Sequence, residues 1–254
     1  MVFLHASEHR FNLSFSETLM FRNYSRVNNF IFCSMIGGAE SIRDIQEAKN
    51  FFANAFEFSM IESEFSLIKI CSALEKVFYN NLNFLFNSYI FINVSTPDGM
   101  ELIRNINKFH FPEFINKELI VFNFDRRSLA KNFNNIKDDN FEYEEFADEI
   151  DPQINDLLIS LKNNKFKTSI SGGITKKSLV KLFNKFLLPD YVKTGLFSLN
   201  LMEGKSTDFL NEILIYQQLE LQLLKLLRDN FFYRYNYIET RLSHLDNYLK
   251  GNKK

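Results

Sequence analysis

The chain has 254 residues, 46% hydrophobic and 24% charged, enough apolar material for one large α/β domain or two small ones. Thirty basic against 31 acidic residues leave a formal charge of -1, so nothing drives the chain toward nucleic acid or an anionic membrane. No run of about 18 uninterrupted apolar residues occurs and "MVFLHASEHR" lacks the basic start of a signal peptide, so no membrane span is expected and a cytoplasmic protein is.

Taken in chain order, short apolar runs alternate with longer amphipathic ones. The strand "VFLHA" (2–6) is followed by a helix over 14–28, opened by the capping pattern "SFSE". The strand "FIFCSMI" (30–36) ends on Gly37 and Gly38, with Glu40, Arg43 and Asp44 at the head of a helix over 41–53. These glycines serve either a tight βα turn or the approach of backbone to a ligand, and Glu40 and Arg43 can simply pair on a helix surface. Then come strand 55–61, helix 63–81, strand 89–95, helix 98–108, strand 118–124 and helix 127–135. A helix over 144–163, strand 167–171, helix 175–187 and a strand "YVKTGLFSL" (191–199) complete the series.

Several strands are apolar on both faces, as parallel strands covered by helices are. Seven such units in about 200 residues predict an α/β fold, a (β/α)8 TIM barrel, with the eighth strand near 196–201. Residues 1–205 form the predicted barrel and 206–254 a C-terminal helical extension. Leu210, Ile213, Leu214, Leu221, Leu224, Leu227 and Phe231 make one apolar strip there, and Leu219, Leu223 and Leu226 a second. Two strips predict packing on the barrel and on a neighbouring subunit, as a homo-oligomer or a hetero-oligomer with an active paralogue. The acid-rich stretch 138–151 reads as a solvated loop and helix start. Cys33 and Cys71 read as core thiols in a reducing compartment. His5 is either a mouth acid–base group or a core histidine.

"MIGGAESIRD", "FSMIES", "INVSTPDG", "VFNFDRRSL" and "SGGITKKSL" stand in order at strand ends. Together they resemble the aldolase/citrate-lyase family of the phosphoenolpyruvate/pyruvate barrel superfamily. Each motif is weak alone; the five in order, over roughly residues 3–200, are more specific. The resemblance implies a barrel that breaks a C–C bond next to a carbonyl in a small anionic substrate. In that family a divalent metal held by a Glu and an Asp stabilises the developing enolate.

Carried over residue by residue, the resemblance implies catalytic roles for Glu40, Arg43 and Asp44. It implies substrate binding by Gly37, Gly38, Arg126, Gly172 and Gly173, and metal binding by Asp125 with Glu62. Arg126 also has the plainer reading of a loop arginine, and Glu62 that of a carboxylate favouring a helix dipole. The sequence departs from the family where charge matters. Met35 stands where a cation is expected, Ser95 where the metal-binding Glu is, and Lys193 and Gly195 where Glu and Arg are. Mg²⁺ or Mn²⁺ binding is therefore expected to be weak. The expected function is a divergent lyase of this type or a catalytically inactive homologue acting as a binding, regulatory or structural subunit.

Overall fold

The computed structural model describes residues 1–6, 15–37, 42–136, 146–174, 189–201, 206–230 and, near the C-terminus, 242, 243, 245 and 247. Gly38, Glu40, Ser14, the acidic residues 138–145 and the helix expected over 175–187 lie outside them.

Strands β1 (Val2–Ala6), β2 (Ile31–Ile36), β3 (Ala55–Phe58), β4 (Tyr89–Val94), β5 (Ile120–Asp125), β6 (Lys167–Ser171), β7 (Tyr191–Thr194) and β8 (Phe197–Asn200) close into a barrel in sequence order. Pairs from β1–β2 through β6–β7 are parallel. Helices α1 (Phe15–Val27), α2 (Ile42–Asn50), α3 (Glu64–Phe78), α4 (Leu82–Phe86), α5 (Pro97–Arg104), α6 (Arg126–Phe133) and α7 (Ala147–Asn163) fall between them, and α8 (Ser206–Asn230) follows β8.

The expected barrel is there, with two departures. The strand read over 55–61 ends at Phe58, and Met60 beyond it has a positive φ of 60°. The run 191–199, read as a single strand, is two. Thr194 pairs with Phe197, leaving Gly195 and Leu196 as a two-residue hairpin loop, and β8 runs antiparallel to both β7 and β1. Such a loop needs a positive φ at its first central residue, which Gly195 supplies at 65°.

Alternation along each strand sorts side chains between two interiors. Leu4, Phe32, Phe56, Phe58, Ile92, Phe122, Phe124, Val192 and Leu199 face outward into the main core under the helices. Inside the barrel, Phe3, Cys33, Ala55, Phe91, Val121 and Tyr191 form a separate apolar floor. Phe3 lies edge-on to both Phe91 and Tyr191, at 5.0 and 5.5 Å between ring centres. Phenylalanine thus does the filling on both sides of the sheet.

Helix starts at the mouth have visible causes. Ser63 accepts from the Ser66 N–H, Thr96 from Gly99 N–H with Pro97 in the first turn, and Asp125 from Ser128 N–H. Helix α8 packs on β7 and β8. Its buried residues Ile213, Gln217, Glu220, Leu223, Leu224 and Leu227 make a single stripe. Leu223, assigned from sequence to the second strip, belongs to the stripe covered by the chain itself, whereas Leu226 is exposed. No described helix is long and apolar enough to cross a membrane.

Candidate functional site

Above the apolar floor, toward the C-terminal ends of the parallel strands, the barrel interior becomes polar. Glu57 on β3 is its centre and is fully buried. One carboxylate oxygen receives Asn93 Nδ2 at 2.5 Å and the Lys193 ammonium. The other meets His5 Nδ1 at 2.6 Å, and His5 Nε2 meets Ser198 Oγ at 2.7 Å. Asn123 Nδ2 reaches Asn93 Oδ1 at 2.9 Å and Ser171 Oγ at 3.0 Å. One network thus joins β8, β1, β3, β7, β4, β5 and β6.

Glu57 fixes the direction of every bond in it. An ionised carboxylate only accepts, so Asn93 must present its NH₂ to Glu57 and its carbonyl to Asn123. Asn123 must then donate, which leaves its own Oδ1 buried and, among the described residues, without a partner. On the other side His5 donates from Nδ1, so Nε2 accepts from the Ser198 hydroxyl. Ser169, paired in register with Asn123, also has a buried, unpartnered hydroxyl. Two unsatisfied polar atoms on residues paired in register are unusual inside a protein.

The charges follow from the same contacts. Burial alone would raise the Glu57 pKa, but Lys193 and then His5 outweigh it and hold the carboxyl well below its ordinary value of 4.5. Burial, reinforced by the Lys193 cation and opposed by Glu57, lowers the His5 pKa from 6.5, so the ring is neutral at pH 7. Burial and then Glu57 push the Cys33 thiol well up, keeping it protonated. Linkage gives a pH prediction. Unfolded His5 takes up a proton near pH 6.5 while the folded ring does not, so the unfolded state gains stability as pH falls below that value. Glu57 adds its own loss only lower, as pH drops through its depressed folded pKa. Urea titrations from pH 7 to 5 should show stability falling by up to about 1.4 kcal/mol per pH unit from this one group. The fall should be shallower in His5→Gln. Identical slopes in the two proteins would mean that folding leaves the His5 pKa unchanged.

The residues singled out from sequence sit around this layer rather than in it. Asp44 Oδ2 accepts from the Gly37 N–H at 3.1 Å, tying α2 back to the end of β2. Arg43 pairs with Glu47 one turn on, exposed on the helix surface. Arg126 is 1% exposed and held by Asp151 through two bonds of 2.9 Å. Glu62 is exposed beside the α3 cap. Gly172 and Gly173 both have positive φ, 71° and 63°. A Cβ on Gly172 would lie 2.3 Å from Asp125 Oδ1, so this glycine lets the β6 turn close against the carboxylate capping α6. Ser95 accepts through its backbone carbonyl from Asn132 at 2.7 Å.

For a metal, the residues present argue against the expected pair. Asp125 already caps α6 against Gly172, and Glu62 lies four residues beyond β3. Among the described residues the one group of three ligand-type side chains that converges is His5, Cys33 and Glu57, within 4.8 Å of one another. Its sulfur and nitrogen donors suit a softer cation such as Zn²⁺ rather than Mg²⁺ or Mn²⁺. Lys193 already supplies Glu57 with positive charge.

Sequence reasoning missed Glu57, Asn93, Asn123 and Lys193. The signal was available: Phe-Glu-Phe, Ile-Asn-Val and Phe-Asn-Phe each place one polar residue between two that pack in the outer core, and Lys193 follows Val192 in the same way. Alternation puts that polar residue on the opposite, inner face.

By sequence, no protein-family model and no curated protein matches the chain. By fold it is similar to the citrate synthase SbnG, with a TM-score of 0.57 at 8% identity, covering 90% of this chain and 84% of that one. It is similar also to a citrate lyase from Burkholderia xenovorans LB400, with a TM-score of 0.52 at 7% identity, covering 85% and 72%. An HpcH/HpaI aldolase/citrate lyase family protein from Burkholderia cenocepacia J2315 aligns at 0.49 and 9% identity over 66% and 69%. At these identities the likeness is one of fold.

Proposed function

We propose that the chain is a divergent lyase of the aldolase/citrate-lyase type that cleaves a C–C bond next to the carbonyl of a small oxo acid. One observation carries the reading: the single polar layer inside an otherwise apolar barrel lies at the strand ends where barrel enzymes build their sites. Met35, Asn93, Asp125 and Lys193 on its rim are half-buried, whereas Phe91, Cys33, Val121 and Tyr191 beneath are buried. Solvent, and hence a small substrate, meets the layer from that end.

In this reading Asn123 Oδ1 accepts from a substrate hydroxyl, and Glu57 positions Lys193 toward the carbonyl. The backbone at Gly37 and at Gly172–Gly173 frames the mouth. Mg²⁺ or Mn²⁺ bound by Asp125 and Glu62 would be weak, and no step is assigned to it. The test is cleavage of a panel of small 4-hydroxy-2-oxo acids, followed by release of pyruvate or its homologues, with and without EDTA. Cleavage that survives EDTA and is lost in Asn123→Leu supports the reading. No cleavage of any member by folded protein would overturn it. That result would favour the second reading, a non-catalytic binding subunit, which Ser95 in place of a metal-binding Glu already favours.

A further inference from the structure

We infer that Lys193 forms an imine with the carbonyl of its 2-oxo-acid ligand, so that a covalent iminium takes the place of a metal as the electron sink. The kind of substrate rests on the lyase reading above; the residue rests on the barrel interior alone.

Lys193 lies on the inner face of β7 in the polar layer, its side chain 15% exposed, whereas its partner Glu57 is 0% exposed. The ammonium is therefore the member of the buried pair that can be met from the mouth. An ammonium has three N–H donors, and among the described residues Glu57 is its one hydrogen-bond partner. The unpartnered Asn123 Oδ1 and Ser169 Oγ lie in the same interior, joined to Glu57 through Asn93 or to Asn123 in register. An acceptor and a hydroxyl without partners among the described residues, in the same barrel interior as a reachable amine, make a site for a ligand with polar groups of its own.

The lysine meets Glu57 as an ammonium, which is not itself a nucleophile. The charge balance removes that objection. The amine, having released one proton to water, adds to the carbonyl carbon. The carbonyl oxygen then leaves as water as the nitrogen becomes a protonated iminium. Ammonium and iminium both carry +1 at the same nitrogen, so Glu57 keeps its counter-charge in both. The Coulomb energy of the pair therefore opposes only the two neutral stages, the transient free amine and the enamine. When the bond two carbons along breaks, its electron pair moves toward the nitrogen, giving an enamine. The hydroxyl proton passes to water and that carbon leaves as an aldehyde. A proton then adds to the enamine carbon, and water hydrolyses the imine to free the lysine and the second oxo acid.

Borohydride trapping tests this directly. Protein incubated with pyruvate and then sodium borohydride should gain the mass of pyruvic acid less one oxygen atom, and peptide sequencing should place the addition on Lys193. Lys193→Arg keeps a cation for Glu57 and cannot form the imine, so it should melt near the unaltered protein and lose the adduct completely. Adduct confined to other lysines, or unchanged in Lys193→Arg, would overturn the proposal. Cleavage activity that persists in Lys193→Arg would sink the imine and spare the lyase. An adduct on Lys193 with no cleavage of any substrate would do the reverse.

Discussion

Glu57→Ala is expected to cost about 3–5 kcal/mol of folding stability, the usual result of removing one member of a buried ion pair. A domain of ordinary stability has only about 5–15 kcal/mol to lose. The loss has three parts on this structure. The Lys193 ammonium is left without a counter-charge, and the His5 Nδ1–H and the Asn93 amide lose their acceptor. Each is a donor stranded where water reaches poorly. Glu57→Gln should hurt less, since its carbonyl can accept from Lys193 and Asn93 while its NH₂ meets a His5 ring in the other tautomer. The controlling measurement is a double-mutant cycle by urea denaturation. Glu57→Gln combined with Lys193→Met should be clearly less damaging than the two single changes added together. An alanine variant within about 1 kcal/mol of the parent would show that the polar layer is solvated rather than buried.

Gly172→Ala has the second-largest expected effect. Its φ of 71° costs a residue with a Cβ about 1–2 kcal/mol. The new Cβ would also sit 2.3 Å from Asp125 Oδ1 and 2.8 Å from the Arg127 nitrogen. Asp125 must then leave the Ser128 N–H it caps, which adds about 1 kcal/mol. A total near 2–3 kcal/mol follows by thermal or urea unfolding. In an Asp125→Ala background the cap is already gone, so Gly172→Ala should cost only the backbone part and its steric conflict with Arg127. Equal costs in the two backgrounds would mean that Asp125 and Gly172 are not in contact.

The candidate site shows the boundary between the two kinds of information. Arg126, read from sequence as a ligand-binding arginine, is held by Asp151 on α7, a partner 25 residues away in a segment that looked merely acidic. Asp44 reaches back to Gly37, so part of the charged stretch after β2 closes its own turn. Both outcomes depend on which helix packs beside which strand end. Residue order does not state that.

What the sequence determined by itself is the succession of elements and the closure they imply. Strand β1 and β6 fall where the apolar runs put them, at 2–6 and 167–171, because period-2 burial and turn chemistry are local properties. Strand direction is not local, so the reversal of β8 after Gly195 came only with the fold. The polar layer is the extreme case. Glu57 and Lys193 are 136 residues apart, and His5 and Ser198 are 193 apart. Each is a polar residue in a mostly apolar strand, and residue order does not show that it has a partner. Barrel closure alone brings them together, since it turns the inner faces of all eight strands toward one axis. There a single carboxylate, cut off from water, has to be satisfied by whatever donors the other strands present.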